Sequence, residues 1–276
     1  MRSPFALAAA SLALSACVGG GPSGPPGLAY ALPNPAAVTY VTGDTTVMDI
    51  DAGGQAMQVT VSESTVLDAT FERAAEGVQV TLEVKDLNAT VANPMGATSG
   101  DESGITGPLV MSLDRRGVVT VISQPQLTET ASQYFQPLSV AHGLFPRLPG
   151  RAAGVGESWT DTIRYEGQQG PGKVSAVTVV TYTVEGDSVL DGRSLVKISM
   201  KGSSESTAGG VITGMDFTQN VTGTLTGWVL WDQGRRLMME TYGETDGRGT
   251  MKVSAAPFPL GVRLRGQSRV KLQPEK

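Results

Sequence analysis

The sequence predicts a mainly β protein: curved antiparallel sheets in two sequential halves, half-barrel or sandwich-like, with one or two short central helices. Three observations carry that expectation. The first is composition: 40% hydrophobic residues, only 5% aromatic and 17% charged, and 35 Gly in 276 residues, a mixture that suits turn-rich antiparallel sheet and argues against a helical bundle. The second is alternation, strictest in VQVTLEVK, where Val78, Val80, Leu82 and Val84 share one face and the residues between them share the other. The third is its interruption over residues 126–158, where Leu127, Ala131, Tyr134, Leu138 and Ala141 follow helical spacing instead.

Taken in order, the chain opens with Arg2, an apolar run over 5–14 too short to span a bilayer, and then small residues, the pattern of a signal peptide. Its end, Leu14-Ser15-Ala16-Cys17, resembles the bacterial lipobox, and Cys17 is the only cysteine in the chain. The resemblance implies a signal peptide at 1–16, a diacylglyceryl thioether on Cys17, cleavage before it, and acylation (palmitate or a similar chain) of the new amino terminus. Each buried methylene contributes about 0.8 kcal/mol, so three chains together anchor a protein in effect permanently. Val18 stands where a retention signal for the inner membrane places Asp, which points to an outer membrane lipoprotein facing the periplasm or the outside. Residues 17–29, the lipidated Cys and a Gly/Pro run, form a flexible tether.

Residues 30–125 make the N-terminal β-rich half, with strands expected over 37–50, 55–62, 66–73, 78–91 and 109–122 and a long polar loop over 93–107. In the central hinge, Pro137 cannot lie deep in a helix but suits the first turn of one, which predicts two short helices meeting near Phe135 and Gln136. Residues 159–276 make the C-terminal half, with strands over 159–166, 173–185, 193–201, 215–232, 235–245, 249–254 and 262–272, and a hairpin turning at Asp232-Gln233-Gly234. Residues 107–118 and 227–237 can be laid beside each other as strand, polar turn and returning strand, which leaves a duplicated β-unit open. With Leu148-Pro149 and Gly156-Glu157-Ser158-Trp159 between two β-rich halves, the mature part is similar to uncharacterised bacterial envelope proteins. That group brings no known activity with it.

For function, the sequence excludes more than it assigns. Lys+Arg 21 against Asp+Glu 26, with no basic cluster, argues against nucleic acid as a partner. His142 is the only histidine, so it is the only base for a Ser-His arrangement; Ser139 lies three residues before it, without a nucleophile elbow around it. A hydrolase is therefore a remote alternative, and no catalytic residue is assigned. With one His and the Cys given to lipid, zinc and copper sites lack ligands, and the acidic stretches at 49–53 and at Asp101-Glu102 lack a full calcium loop, so no metal or cofactor is expected. The Gly-rich run at 167–173 lacks the phosphate-loop spacing and reads as a hairpin loop.

The expectation is a non-enzymatic, membrane-anchored envelope lipoprotein that binds an unidentified ligand or an envelope protein. In the alternative it carries a lipid or another apolar ligand on its curved sheet, with Trp228, Leu230, Trp231, Met238 and Met239 as candidate lining. A carrier needs a concave cavity of roughly 300–1,000 Å³. A partner-binding protein needs a filled interior and an exposed apolar patch of several hundred Å².

Overall fold

The computed structural model describes residues 27–51, 53–54, 56–75, 77–169, 172–212 and 214–274. The expected signal peptide, Cys17 and all but the end of the expected tether fall outside the described residues. The N-terminal half supplies β1 (Ala37–Asp51), β2 (Ala56–Ala74), β3 (Gly77–Asn93), β4 (Gly96–Asp101), β5 (Ile105–Thr106), β6 (Leu109–Asp114) and β7 (Val119–Ser123). The hinge holds the short β8 (Gln126–Leu127), a 3-10 turn over Ala131–Gln133 and α1 (Pro137–Gly143). The C-terminal half supplies β9 (Ser158–Gln169), β10 (Gly172–Leu190), β11 (Arg193–Ile212), β12 (Met215–Asp232), β13 (Leu237–Val253) and β14 (Leu260–Leu272).

Twelve of these strands form one sheet in the order β7-β6-β3-β2-β1-β14-β13-β12-β11-β10-β9, with β4 paired to β3. It curls through 270° into a half-barrel. The two halves each run as a meander and join where β1 pairs antiparallel with β14, so the architecture is a single curled sheet and the sandwich alternative falls away.

Alternation decides which side chains face the hollow. In β3 Val78, Val80 and Leu82 point inward and are fully buried, and in β6 Leu109, Met111 and Leu113 do the same across the ladder. Tight curling brings neighbouring strands together more closely than side chains allow, and glycine solves this in the C-terminal half. A Cβ at Gly202 would lie 2.4 Å from the carbonyl oxygen of Val179, and one at Gly227 would lie 2.2 Å from that of Tyr242.

The hinge closes the remaining gap. Pro137 stands in the first turn of α1, and the 3-10 turn ahead of it ends near Tyr134, so the expected pair of short helices is a 3-10 turn followed by an α-helix. α1 packs against β9 on one side and β6 and β7 on the other, bridging the two edge strands. Below it, residues 144–148 enter the hollow. Phe145 meets Tyr30, Tyr40 and Phe71 edge-to-face, and Tyr30 stacks edge-on against Trp231 at 5.1 Å. Backbone hydrogen bonds from Leu28 to Arg151, Tyr30 to Arg115, Asn34 to Arg235 and Leu148 to Arg116 tie this plug to the turns at one end of the half-barrel. That end is its base, and the opposite end is open.

Four sequence expectations need correction. The strands expected at 55–62 and 66–73 are one strand, β2, and those at 235–245 and 249–254 are one strand, β13. The single strand expected at 109–122 is the hairpin of β6 and β7, turned by Asp114, whose carboxylate accepts the N–H groups of Arg116 and Val118 at 2.8 Å each. The polar loop at 93–107 holds β4, a 3-10 turn and β5. The hairpin at Asp232-Gln233-Gly234 stands as expected; in the run 167–173, expected as a hairpin loop, residues 167–169 belong to β9 and 172–173 to β10, paired antiparallel, and residues 170–171 lie outside the described residues.

Candidate functional site

Above the aromatic plug, between α1 and the concave face, lies a groove of about 590 Å³. Its floor is Leu144, Phe145 and Pro146, its lid edge is Gln136, Ser139, Val140 and His142 of the hinge, and its walls come from both halves of the sheet. A second depression of about 660 Å³ over β9 to β12 is more open to solvent and lies away from α1. The groove is the better site because it is both walled and floored.

Registry gives the wall its chemical gradient. Glu63 of β2 pairs with Asp44 of β1, Asp44 with Ser268 of β14, Ser268 with Gly243 of β13, Gly243 with Gly227 of β12, Gly227 with Met200 of β11, and Met200 with Tyr182 of β10. One row across the sheet therefore runs from two carboxylates, through Ser268 and two glycines, to an apolar and aromatic end. Ile163, Tyr165 and Leu225 extend that apolar end, and Thr42 and Thr46 flank the acidic one.

The two carboxylates stand directly opposite each other on the concave face, a placement that destabilises a sheet when both are charged. The Thr65 hydroxyl donates to Glu63 at 2.8 Å. Among the described residues, no Lys or Arg lines the groove. Both carboxyls are pushed up: Asp44 to about 6, first by burial in the wall and then by Glu63, and Glu63 by burial against the opposing effect of Thr65. Solvent in the groove reaches Asp44, which weakens the effect in energy terms.

His142 lines the groove near Tyr165, their rings edge-to-face at 6.4 Å. Burial first, and then the Arg147 guanidinium, hold it below the usual imidazole range. Ser139 shares the groove but makes no hydrogen bond to His142. Arg147 lies under the floor, 5% exposed, with its Nη1 buried and unpaired among the described residues.

The five residues expected as lining lie elsewhere. Trp231, Met238 and Met239 pack in the core, at 0%, 1% and 9% exposure. Leu230, 8% exposed, belongs to the same core, and the half-buried Trp228 packs against it and stacks on Tyr242. None of the five borders the groove. The residues that do border it escaped the sequence reading because Asp44, Glu63, Thr42 and Ser268 look like the solvent face of their strands.

The acidic stretches considered for a cation have local duties. Asp51 accepts the Gly54 N–H, Asp49 pairs with Arg265 and accepts from Gln58, Asp101 caps the 3-10 turn at Ser103, and Glu102 accepts the Leu87 N–H. No group of three or more His, Cys, Asp or Glu among the described residues is arranged to hold a metal ion.

No protein-family model matches the chain, and no curated protein matches it. Among solved structures, the chain is similar to Pseudomonas aeruginosa OccK5 (OpdH), at 6% identity and a TM-score of 0.28 over 88% of this chain and 100% of that one. It is also similar to Pseudomonas aeruginosa OpdK with vanillate, at 7% identity and a TM-score of 0.16 over 86% of this chain and 99% of that one. Similarity at these scores carries no argument about what the chain does.

Proposed function

We propose that the protein is an envelope lipoprotein, anchored through acyl chains on Cys17, that carries an amphiphilic ligand in the groove beneath α1. The observation that carries the ligand reading is the groove itself: about 590 Å³, inside the range of small-molecule sites and equal to roughly twenty water volumes. The anchor rests on the lipobox resemblance at Leu14-Ser15-Ala16-Cys17.

The competing reading, a partner-binding protein with a filled interior, has less support. Its most exposed large apolar side chains among the described residues, Met95, Val155 and Val189, belong to the turn between β3 and β4, the turn before β9 and the end of β10, whereas a partner-binding surface needs one contiguous patch. A catalytic role lacks a base engaged with a nucleophile, since His142 and Ser139 are not hydrogen-bonded. The convex face of β13 and β14 carries Arg263, Arg265, Arg269 and Asp246 in ion pairs, which suits water and not lipid tails.

The test is mass spectrometry of the protein purified from its own membranes, alongside a Thr178→Trp variant, which adds a large ring to a half-buried wall position. The carrier reading expects a co-purifying amphiphile that the variant loses. Ligand-free wild type that also fails to take up added alkyl chains would sink it. The anchor is tested separately: Cys17→Ser should move the protein from the membrane to the soluble fraction.

A further inference from the structure

The convex and concave faces treat carboxylates differently. On the convex side Asp49 pairs with Arg265 at 2.6 Å, Asp246 with Arg263 at 2.8 Å, Glu83 and Asp68 share Lys85, and Glu240 is held by Arg269. On the concave side Asp44 and Glu63 face each other with no cation beside them among the described residues. Two like charges set opposite on adjacent strands cost stability, and apart from the Thr65 hydroxyl on Glu63 no protein group among the described residues offsets that cost.

A second feature of the same wall is independent of charge. Thr42 lies two positions before Asp44 on the same face of β1, is 8% exposed and lines the groove, and its hydroxyl has no hydrogen-bond partner among the described residues. Thr42 is buried as a residue while its hydroxyl stays open to the groove, beside the carboxylates.

Resting on the carrier reading above, we propose that the groove selects a cationic amphiphile: an alkyl chain with an amine or quaternary ammonium head group. The head sits between Asp44 and Glu63, within reach of the Thr42 hydroxyl. The chain crosses the row past Ser268 and Gly243 toward Met200, Tyr182 and Ile163. The apolar end covers it. His142 is held neutral on the far lip, so it adds no opposing charge. Arg147 does not line the groove, so its guanidinium does not meet the head group.

The experiment uses the full chain carrying Cys17→Ser, so that no acyl chain of its own competes. Isothermal titration at pH 7.5, about one unit and a half above the Asp44 value, compares dodecyltrimethylammonium, dodecanoate and dodecanol, each below its micelle concentration. The proposal expects the cationic chain to bind at least about tenfold more tightly than the anionic one. In Asp44→Asn/Glu63→Gln that preference should vanish while dodecanol affinity stays within about twofold of wild type, a difference of about 1.4 kcal/mol separating the two outcomes. Equal binding of the cationic and anionic chains, or an unchanged preference in the double variant, overturns the head-group assignment and leaves the carrier reading intact. Failure of all three chains to bind overturns both.

Discussion

Removing the side chain of Phe145 should detach the hinge from the half-barrel. Phe145 is 2% exposed and its ring lies 6.0, 6.0 and 6.1 Å from those of Tyr30, Tyr40 and Phe71. Truncating a buried Phe to Ala costs about 3–5 kcal/mol through lost transfer energy and the cavity left behind. The three edge-to-face contacts place this site in the upper part of that range, at about 4 kcal/mol, because each such pair adds roughly 0.5–1.5 kcal/mol beyond burial. In a domain of this size about 4 kcal/mol lowers Tm by roughly 8–16 °C. With a urea slope near 3 kcal/mol/M it moves the midpoint by about 1.3 M. The assay is urea unfolding followed by tryptophan fluorescence, with Phe258→Ala as the control. Phe258 is half exposed, so its loss should stay within about 0.5 kcal/mol. A Phe145→Ala loss below about 1 kcal/mol would refute the reasoning, because the plug would then not be held by its ring.

Three further outcomes follow from the same structure. Gly202→Ala pushes a methyl toward the Val179 carbonyl, so it should destabilise by about 1–3 kcal/mol in the same urea assay; an unchanged midpoint would mean the curl is not set there. Asp44 and Glu63 keep protons that the unfolded chain, with carboxyls titrating near ~4, has released. The contribution of Asp44 to stability therefore falls as pH rises from about 4 to about 6 and is level above, and Glu63 acts in the same direction. His142 acts in the opposite sense as pH falls below about 6.5. Tyr165 and Tyr182, which also line the groove, are pushed up by burial and stay protonated throughout this window. The difference between wild type and Asp44→Asn/Glu63→Gln isolates the pair, and a flat difference over pH 4–7 would refute it. Finally, Arg147→Met removes an unpaired buried charge and should raise stability by about 1–3 kcal/mol; a comparable fall in the thermal midpoint would show that the guanidinium has a partner.

Most of the fold was legible because apolar alternation survives wherever the concave face is core. It was lost where that face becomes the groove. In β2 the run Ser62-Glu63-Ser64-Thr65 alternates polar with polar, since Glu63 faces the groove and Thr65 bonds to it, and the strand appeared to break there. In β13 the run Asp246-Gly247-Arg248-Gly249 hides a continuous strand, because the inward positions are glycines pressed against β12. β4, GATSGD, has no apolar face at all and is held by backbone pairing to β3. Pro137 was decisive in the opposite direction, since only the first turn of a helix accommodates it in such a segment. The site escaped for the reason the strands did: residues that look solvated in a linear pattern are solvated here by an internal groove.

The pairing of β1 with β14 has a consequence for how the chain reaches this shape. Tyr40 and Leu272 are neighbours in space, yet the ribosome makes them at opposite ends of the described chain. Until β14 arrives, β1 and β13 each present an unsatisfied ladder of N–H and C=O groups to the surroundings. Contacts this distant in sequence make folding slow. A half-finished molecule is therefore two sticky sheets waiting for one strip of chain, and it would need a holding chaperone, or speed, to avoid joining the wrong neighbour.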